Sequence, residues 1–204
     1  MSSTRTSRST GARPTDDQLL DAALPVFSSH GFHNSTMSEV AGRADSTKPT
    51  LYAHFGDKDG LYERLLQREA ELCRAHLFAA YAAAAGLPLS EQTRADVEAF
   101  FDYAAARSDG FELLFGARNG DAVAVRDELV ATLVGQIAQR LTDFVTRRPD
   151  SRPTWREHQL AAMLVGGTVT AAQHARAEVG VDIDQACRLA SDYAIAALKN
   201  LPHR

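Results

Sequence analysis

The chain has 204 residues, of which 45% are hydrophobic and 24% charged, with a formal net charge of -4. Those proportions belong to a folded globular chain long enough to bury a real core, and the charge excludes a generally basic nucleic-acid coat, so any DNA contact must come from placed residues. Cys73 and Cys187 lie far apart and match neither CxxC nor zinc-ligand spacing, so they read as reduced thiols of a cytoplasmic protein.

Residues 1–13, MSSTRTSRSTGAR, carry Arg5, Arg8 and Arg13, no acid and almost no bulky apolar side chain. Such a segment cannot bury enough to order itself, and it reads as a disordered basic arm, either a plain leader or one that reaches DNA phosphates or a minor groove. It has no apolar core of a signal peptide. Thr15-Asp-Asp-Gln18 fits a capping box, and Leu20, Ala23, Leu24 and Phe27 then recur at helical spacing. Pro25 inside that helix predicts a bend, because the apolar stripe continues past it. Gly31 suits a left-handed C-cap, with Phe32 closing back on the helix.

A second capping box, Thr36-Met-Ser-Glu39, opens a short helix with Met37, Val40, Ala41 and Ala44 on one face. Asp45 tolerates a turn, Ser46 or Thr47 can cap the next helix, and Pro49 is allowed in a first turn because its missing N–H has no intrahelical partner there. The third helix runs to about Phe55, and two short helices joined so tightly form a helix-turn-helix. Leu51 and Phe55 share one face of it, while Lys48, Thr50, Tyr52 and His54 present hydrogen-bond donors on the other, as a helix lying in a major groove would. After Gly56, Asp57 can cap a fourth helix whose N-terminus, with Lys58, suits a phosphate.

These residues resemble the signature of TetR-type regulators. Thr36-Met-Ser-Glu-Val-Ala41 and Thr50-Leu-Tyr-Ala-His-Phe-Gly-Asp-Lys58-Asp-Gly-Leu61 stand at that family's separation, and the likeness covers roughly residues 15 to 65. The turn carries Asp45-Ser46 where the family commonly has Gly-Val. The resemblance implies that Thr36, Ser38, Thr47, Tyr52, His54 and Lys58 contact phosphates, and that Lys48, Pro49, Thr50 and at times Tyr52 face base edges. Residues 1–70 hold eight basic against nine acidic side chains, so non-specific affinity is expected to be modest.

Residues 59–85 read as one long helix with Leu61, Leu65, Leu72 and Leu77 among its core positions, stopped by Gly86 and Pro88. Its run LFAAYAAAAGLPL is too short to span a bilayer, so no membrane partner is expected. Ser90-Glu-Gln-Thr begins another helix reaching about Arg107, Phe111 to Ala117 is a short apolar segment, Asp121 to Arg148 a long helix, and RRPDSRP a proline-bounded linker. Helices over about Thr154–Glu178 and Asp182–Lys199 close the chain, with no strand-like alternation. Both are rich in small residues, among them Ala161, Gly166, Gly167, Ala171, Ala190 and Ala197. Small residues let helices approach closely, so the pair can join its copy as a four-helix bundle; the resemblance implies a homodimer there, with Leu164, Thr168 and Tyr193 also in the interface. High-GC codon usage would enrich alanine too, but two adjacent glycines inside a helix cost about 1 kcal/mol each.

Aromatics gather between head and final helices, and the family implies an apolar effector pocket in that region. Phe100, Phe101, Tyr103, Phe111, Phe115, Trp155 and His174 are its candidate lining. Enzyme readings find no support: paired Glu-x-x-His, GxGxxG, GxxxxGK[ST], GxSxG and HExxH are absent, and His30-Gly-Phe-His33 is too sparse for a metal site. No cofactor or metal is expected. The expected architecture is all-α: a three-helix helix-turn-helix head over residues 14–60, then a helical ligand-binding and dimerisation domain over 61–204. The expected function is a repressor whose partners are a palindromic double-stranded operator, a second copy of itself and a small apolar effector that releases it. The competing reading is an all-helical small-molecule binding protein that has lost operator binding.

Overall fold

Capping decides where the first four helices begin. In a computed structural model that describes residues 13–116, 122–146 and 151–199, the Thr15 hydroxyl accepts from the Gln18 backbone while the Gln18 side chain accepts from Thr15 N–H at 2.9 Å. α1 (Asp16–Asn34) begins there. Thr36 and Glu39 repeat the reciprocal pattern and open α2 (Met37–Arg43). Thr47 caps α3 (Lys48–Phe55), and Asp57 caps α4 (Lys58–Ala83) through the Gly60 amide at 2.8 Å. Each cap satisfies a donor that the helix itself leaves orphaned.

α1 passes through Pro25, and Gly31 takes the left-handed φ of 75°. The expected stop there is instead a kink, because one more helical turn runs to Asn34. The Phe32 ring lies 6.4 Å from Phe27 and 4.9 Å from Tyr62, which holds that turn onto the core. Beyond α4 come α5 (Leu89–Ala106), α6 (Ser108–Phe115), α7 (Val123–Thr146), α8 (Trp155–Ala177) and α9 (Ile183–Leu198). The chain is therefore all-helical, as expected. α5 starts one residue early with Pro88 at its N-cap and no side-chain cap from Ser90, and α6 begins at Ser108, ahead of the apolar run that marked it. The basic arm, apart from exposed Arg13, and the first part of the RRPDSRP linker lie outside the described residues. Among the described residues, no helix is long and apolar enough to cross a membrane.

In the head, α1 packs on α2 and α4, and α3 packs on α2 and α4. α4 then continues into the second region, where it meets α5, α6 and α7, while α8 packs on α7 and α9, and α9 on α5. The boundary expected after residue 60 falls inside the first turn of α4, and α1 also packs on α6.

Leu61, Leu65 and Leu77 are fully buried on α4, whereas Leu72 is 38% exposed. The buried ladder advances in steps of four, and its third rung is Glu69, fully buried between Leu65 and Cys73. A buried carboxylate persists only if its charge is answered. Glu69 Oε1 accepts from Arg68 Nε at 3.2 Å and Nη2 at 3.0 Å, and Oε2 accepts from Arg107 Nη2 at 2.8 Å. Arg68 also donates to Asp21 Oδ1 at 2.9 Å and the Asp17 carbonyl at 3.3 Å, so one network ties α1, α4 and the α5–α6 junction together. Gly110 stands against it: a Cβ there would strike Glu69 Oε2.

Burial also pushes the neighbouring Cys73 thiol up to about 12, which keeps it protonated and unreactive near neutral pH. Glu69→Ala strands two arginines and is expected to cost about 3 kcal/mol of stability, measurable by urea unfolding. Gly110→Ala should give a similar loss, whereas an unchanged midpoint in both would mean that the network is not structural.

Candidate functional site

Two surfaces stand out, one on the head and one inside the second region. At the head, Asp45 adopts φ 46° between α2 and α3, a left-handed conformation that Asp tolerates better than most residues. The Ser46 amide donates to the Ala41 carbonyl at 2.9 Å and closes the turn.

Leu51 and Phe55 are buried on the inner side of α3. Its outer side presents Lys48, Pro49 and Ala53, with Tyr52 48% exposed. Thr36, Ser38 and Thr47 are exposed beside it, although the Thr36 hydroxyl donates to Glu39 Oε2 at 2.9 Å. Three of the expected contact residues are partly withdrawn. Thr50 shares a 2.9 Å hydroxyl hydrogen bond with Thr47. His54 Nδ1 sits 2.6 Å from Asp16 Oδ1, and Arg64 reaches the other oxygen of the same carboxylate at 3.3 Å, so α1, α3 and α4 meet there. Lys58 turns inward: its Nζ donates to the carbonyls of Phe32 at 2.9 Å and Ser35 at 3.2 Å and lies 4.2 Å from the Phe32 ring centroid. These carbonyls end α1, where a cation complements the unpaired acceptors. Spacing alone placed Lys58 at the mouth of an anion site and had no signal for this second engagement.

The second site is a cavity of about 50 Å³ lined by residues of α4, α5, α7, α8 and α9. Its wall is largely apolar, with Val97, Phe100, Leu133, Ile137, Val165 and Leu198 among its residues. Among the described residues, its charged members are Asp96 and Arg140, paired at 2.5 Å. Burial pushes the Asp96 carboxyl up, and the adjacent Arg140 guanidinium partly offsets this. Arg140 also stacks 4.9 Å from the Tyr81 ring. Tyr81, Leu89 and Arg140 are shared with an outer cleft of about 480 Å³.

Of the expected lining, Phe100 faces this cavity. Phe101, Tyr103, Phe111 and Phe115 are buried in the core away from it, and Phe100, Phe111 and Phe115 form one ring cluster with centroids 5.1 to 5.9 Å apart. Phe111 and Phe115 also border a separate polar cleft with Gln173 and Arg176. Trp155, 73% exposed, and exposed His174 lie on neither cavity nor outer cleft. The other buried rings pack as core, while the cavity wall beside Phe100 and Tyr81 is mostly aliphatic, from residues that no local pattern distinguishes from ordinary packing.

The expected interface residues divide in the same way. Ala161 and Leu164 are buried within the chain, Leu164 and Thr168 line the cavity, and Ala171 and Ala190 pack partly against the core. Gly167, Tyr193 and Ala197 face outward, joined by Met163 at 52% exposure and Leu189 at 72%. Met163, Gly167, Leu189 and Tyr193 recur in steps of four on α8 and α9, leaving a stripe of exposed apolar surface.

Residues 19–65 match the family described as "Bacterial regulatory proteins, tetR family". Along 91% of the chain and 83% of the relative, the sequence is 31% identical to the HTH-type transcriptional activator FasR of Mycolicibacterium smegmatis. The fold matches a TetR-like transcriptional regulator from Rhodococcus sp. RHA1 with a TM-score of 0.71 and 27% identity, covering 91% of this chain and 96% of that one. It also matches FadR of Bacillus subtilis, solved in complex with stearoyl-CoA, at TM-score 0.72 and 14% identity, over 90% of this chain and all of the other.

Because charge-assisted hydrogen bonds contribute about 1.5 to 3 kcal/mol, Lys58→Ala is expected to lower the thermal midpoint by several degrees. Calorimetry of the two proteins checks it. A midpoint equal to the parent's would leave Lys58 without the structural role its two carbonyl contacts indicate.

Proposed function

The chain belongs to the tetR family of bacterial regulatory proteins, DNA-binding regulators and not enzymes, and from that premise we propose a cytoplasmic homodimer that binds a pseudo-palindromic operator and is released from it by an apolar effector. The observation that carries the DNA reading is α3. Its buried Leu51 and Phe55 fix the helix on the head, so Lys48, Pro49, Tyr52 and Ala53 are presented together on a rigid outer face. In this reading Lys48, Pro49, Thr50 and Tyr52 face base edges, while Thr36, Ser38, Thr47, His54 and Lys58 contact phosphates. His54 and Lys58 do so with the donors their internal bonds leave over.

Dimerisation is assigned to the exposed stripe of α8 and α9, with Gly167, Tyr193 and Ala197 from the expected set and Met163 and Leu189 beside them. The inner cavity is the effector site. At about 50 Å³ it is too narrow for a whole ligand, so the effector stabilises a more open arrangement, with the outer cleft as its entrance. To change operator affinity tenfold it must favour one form by about 1.4 kcal/mol.

A second reading, activation in place of repression, is favoured by the 31% identity to an activator. Transcription of the bound promoter with and without the chain decides between them, since repression requires transcript levels to rise when the chain is removed.

Selection of bound sequences from random DNA is expected to return two inverted half-sites spaced for successive major grooves, about 34 Å or somewhat more apart. A single half-site, or no enrichment at all, would sink the homodimeric operator reading. Tyr52→Ala should reduce affinity for the selected site about tenfold, in line with the loss of one specific contact. Gly167→Leu should give monomer on sedimentation with weakened operator binding, because an added Cβ already meets the Tyr193 ring at 3.9 Å and the rest of the side chain must stand out from the stripe into the proposed partner.

A further inference from the structure

Asp96 is a feature of the cavity wall that packing leaves incomplete. Its Oδ2 accepts from Arg140, but its Oδ1 is buried and has no hydrogen-bond partner among the described residues. An unanswered buried acceptor is costly. The two hydroxyls nearby do not answer it. Thr93 donates its proton to the Leu89 carbonyl at 2.8 Å and Thr168 donates to the Leu164 carbonyl at 2.9 Å, so neither hydroxyl proton is left for Asp96 Oδ1. Among the described residues, then, Asp96 Oδ1 is an acceptor left without a donor. The formal charge of the wall is zero, since Asp96 and Arg140 cancel.

Resting on the proposed effector site, we propose that its ligand is an uncharged amphiphile whose apolar body fills the inner cavity and whose polar end carries an O–H or N–H donated to Asp96 Oδ1. The geometry separates this class from its charged analogues. A carboxylate end could reach the remaining N–H groups of Arg140 only as a second anion beside Asp96, in a wall whose two charges already cancel. An ammonium end could reach Asp96 only against the charge of Arg140. Either ion would also lose its hydration among aliphatic side chains, a cost that an alcohol or amide largely avoids. Arg140 lines both the cavity and the outer cleft, so the polar end lies at the junction and the apolar body lies inward.

The test uses the full chain and four probes built on comparable apolar chains: octan-1-ol, octyl methyl ether, octanoate and octylammonium, each titrated calorimetrically. Octanol is expected to bind at least about tenfold more tightly than the ether, which keeps the acceptor but lacks the donor, and more tightly than either ion. Ala194→Phe, which fills the cavity wall, should abolish binding, with Leu198→Trp as a second filling variant if the first does not fold. In Asp96→Asn the preference for octanol over the ether should fall toward unity. If octanoate or octylammonium wins, or the ether equals octanol, while filling still abolishes binding, the donor inference is overturned and the effector site stands. If no probe binds, or filling changes nothing, the effector site itself falls and the inference with it.

Discussion

Everything in the head depends on how α4 is held, and α4 is held at Glu69. A carboxylate with no exposed surface in the middle of a long helix is destabilising unless several donors converge on it, and here they come from Arg68 on the same helix and Arg107 at the α5–α6 junction. Because Arg68 also reaches Asp21 and the Asp17 carbonyl of α1, the charge balance of one buried group fixes the angle at which the head meets the rest of the chain. Hydrophobic contact alone would permit sliding along α4. Three directional N–H donors from two arginines on one carboxylate do not.

The helix boundaries were legible because they are local. Thr15, Thr36, Thr47 and Asp57 each satisfy an amide within three residues, so the pattern of caps is written in adjacent positions. The helix-turn-helix came from the same short-range logic, down to the positive φ at Asp45. Ser90 misled because a capping residue was present two positions after Pro88, which had already set the helix start. Leu72 misled for a different reason: a charged residue on a core rung reads as a break in an apolar ladder, and the neighbouring leucine then looks like the better core position. Nothing within α4 announces that Arg107, 38 residues later, completes Glu69.

The candidate sites were legible to the extent that one element makes them. α3 carries most of its own surface, so its exposed residues could be read from spacing, but the inward bonds of His54 and Lys58 depend on where α1 begins and ends. The cavity needs five helices at once. Aromatic clustering singled out Phe100, which lines the cavity, together with Phe111 and Phe115, whose rings close on it in the core, and it carried no signal for the aliphatic residues of α7, α8 and α9 that make up much of the wall.

These constraints together define what a ligand could do mechanically. α4 has 26 residues and spans about 39 Å at 1.5 Å per residue. Its first turn is fastened to the end of α1 by Lys58, its middle is pinned by Glu69, and Tyr81 near its far end lines the cavity under Arg140. A helix pinned at its middle does not simply translate when one end is displaced; the other end moves the opposite way. Any rearrangement that widens the cavity at Tyr81 would therefore reach α1 through the Lys58 and Arg64 contacts, and α3 through the His54 bond to the same Asp16 carboxylate. The cost of the motion falls on the arginine contacts of Glu69, which have to be remade at a new angle. Coupling between cavity and head is then set less by how tightly the cavity is filled than by how much Tyr81 must move to fill it.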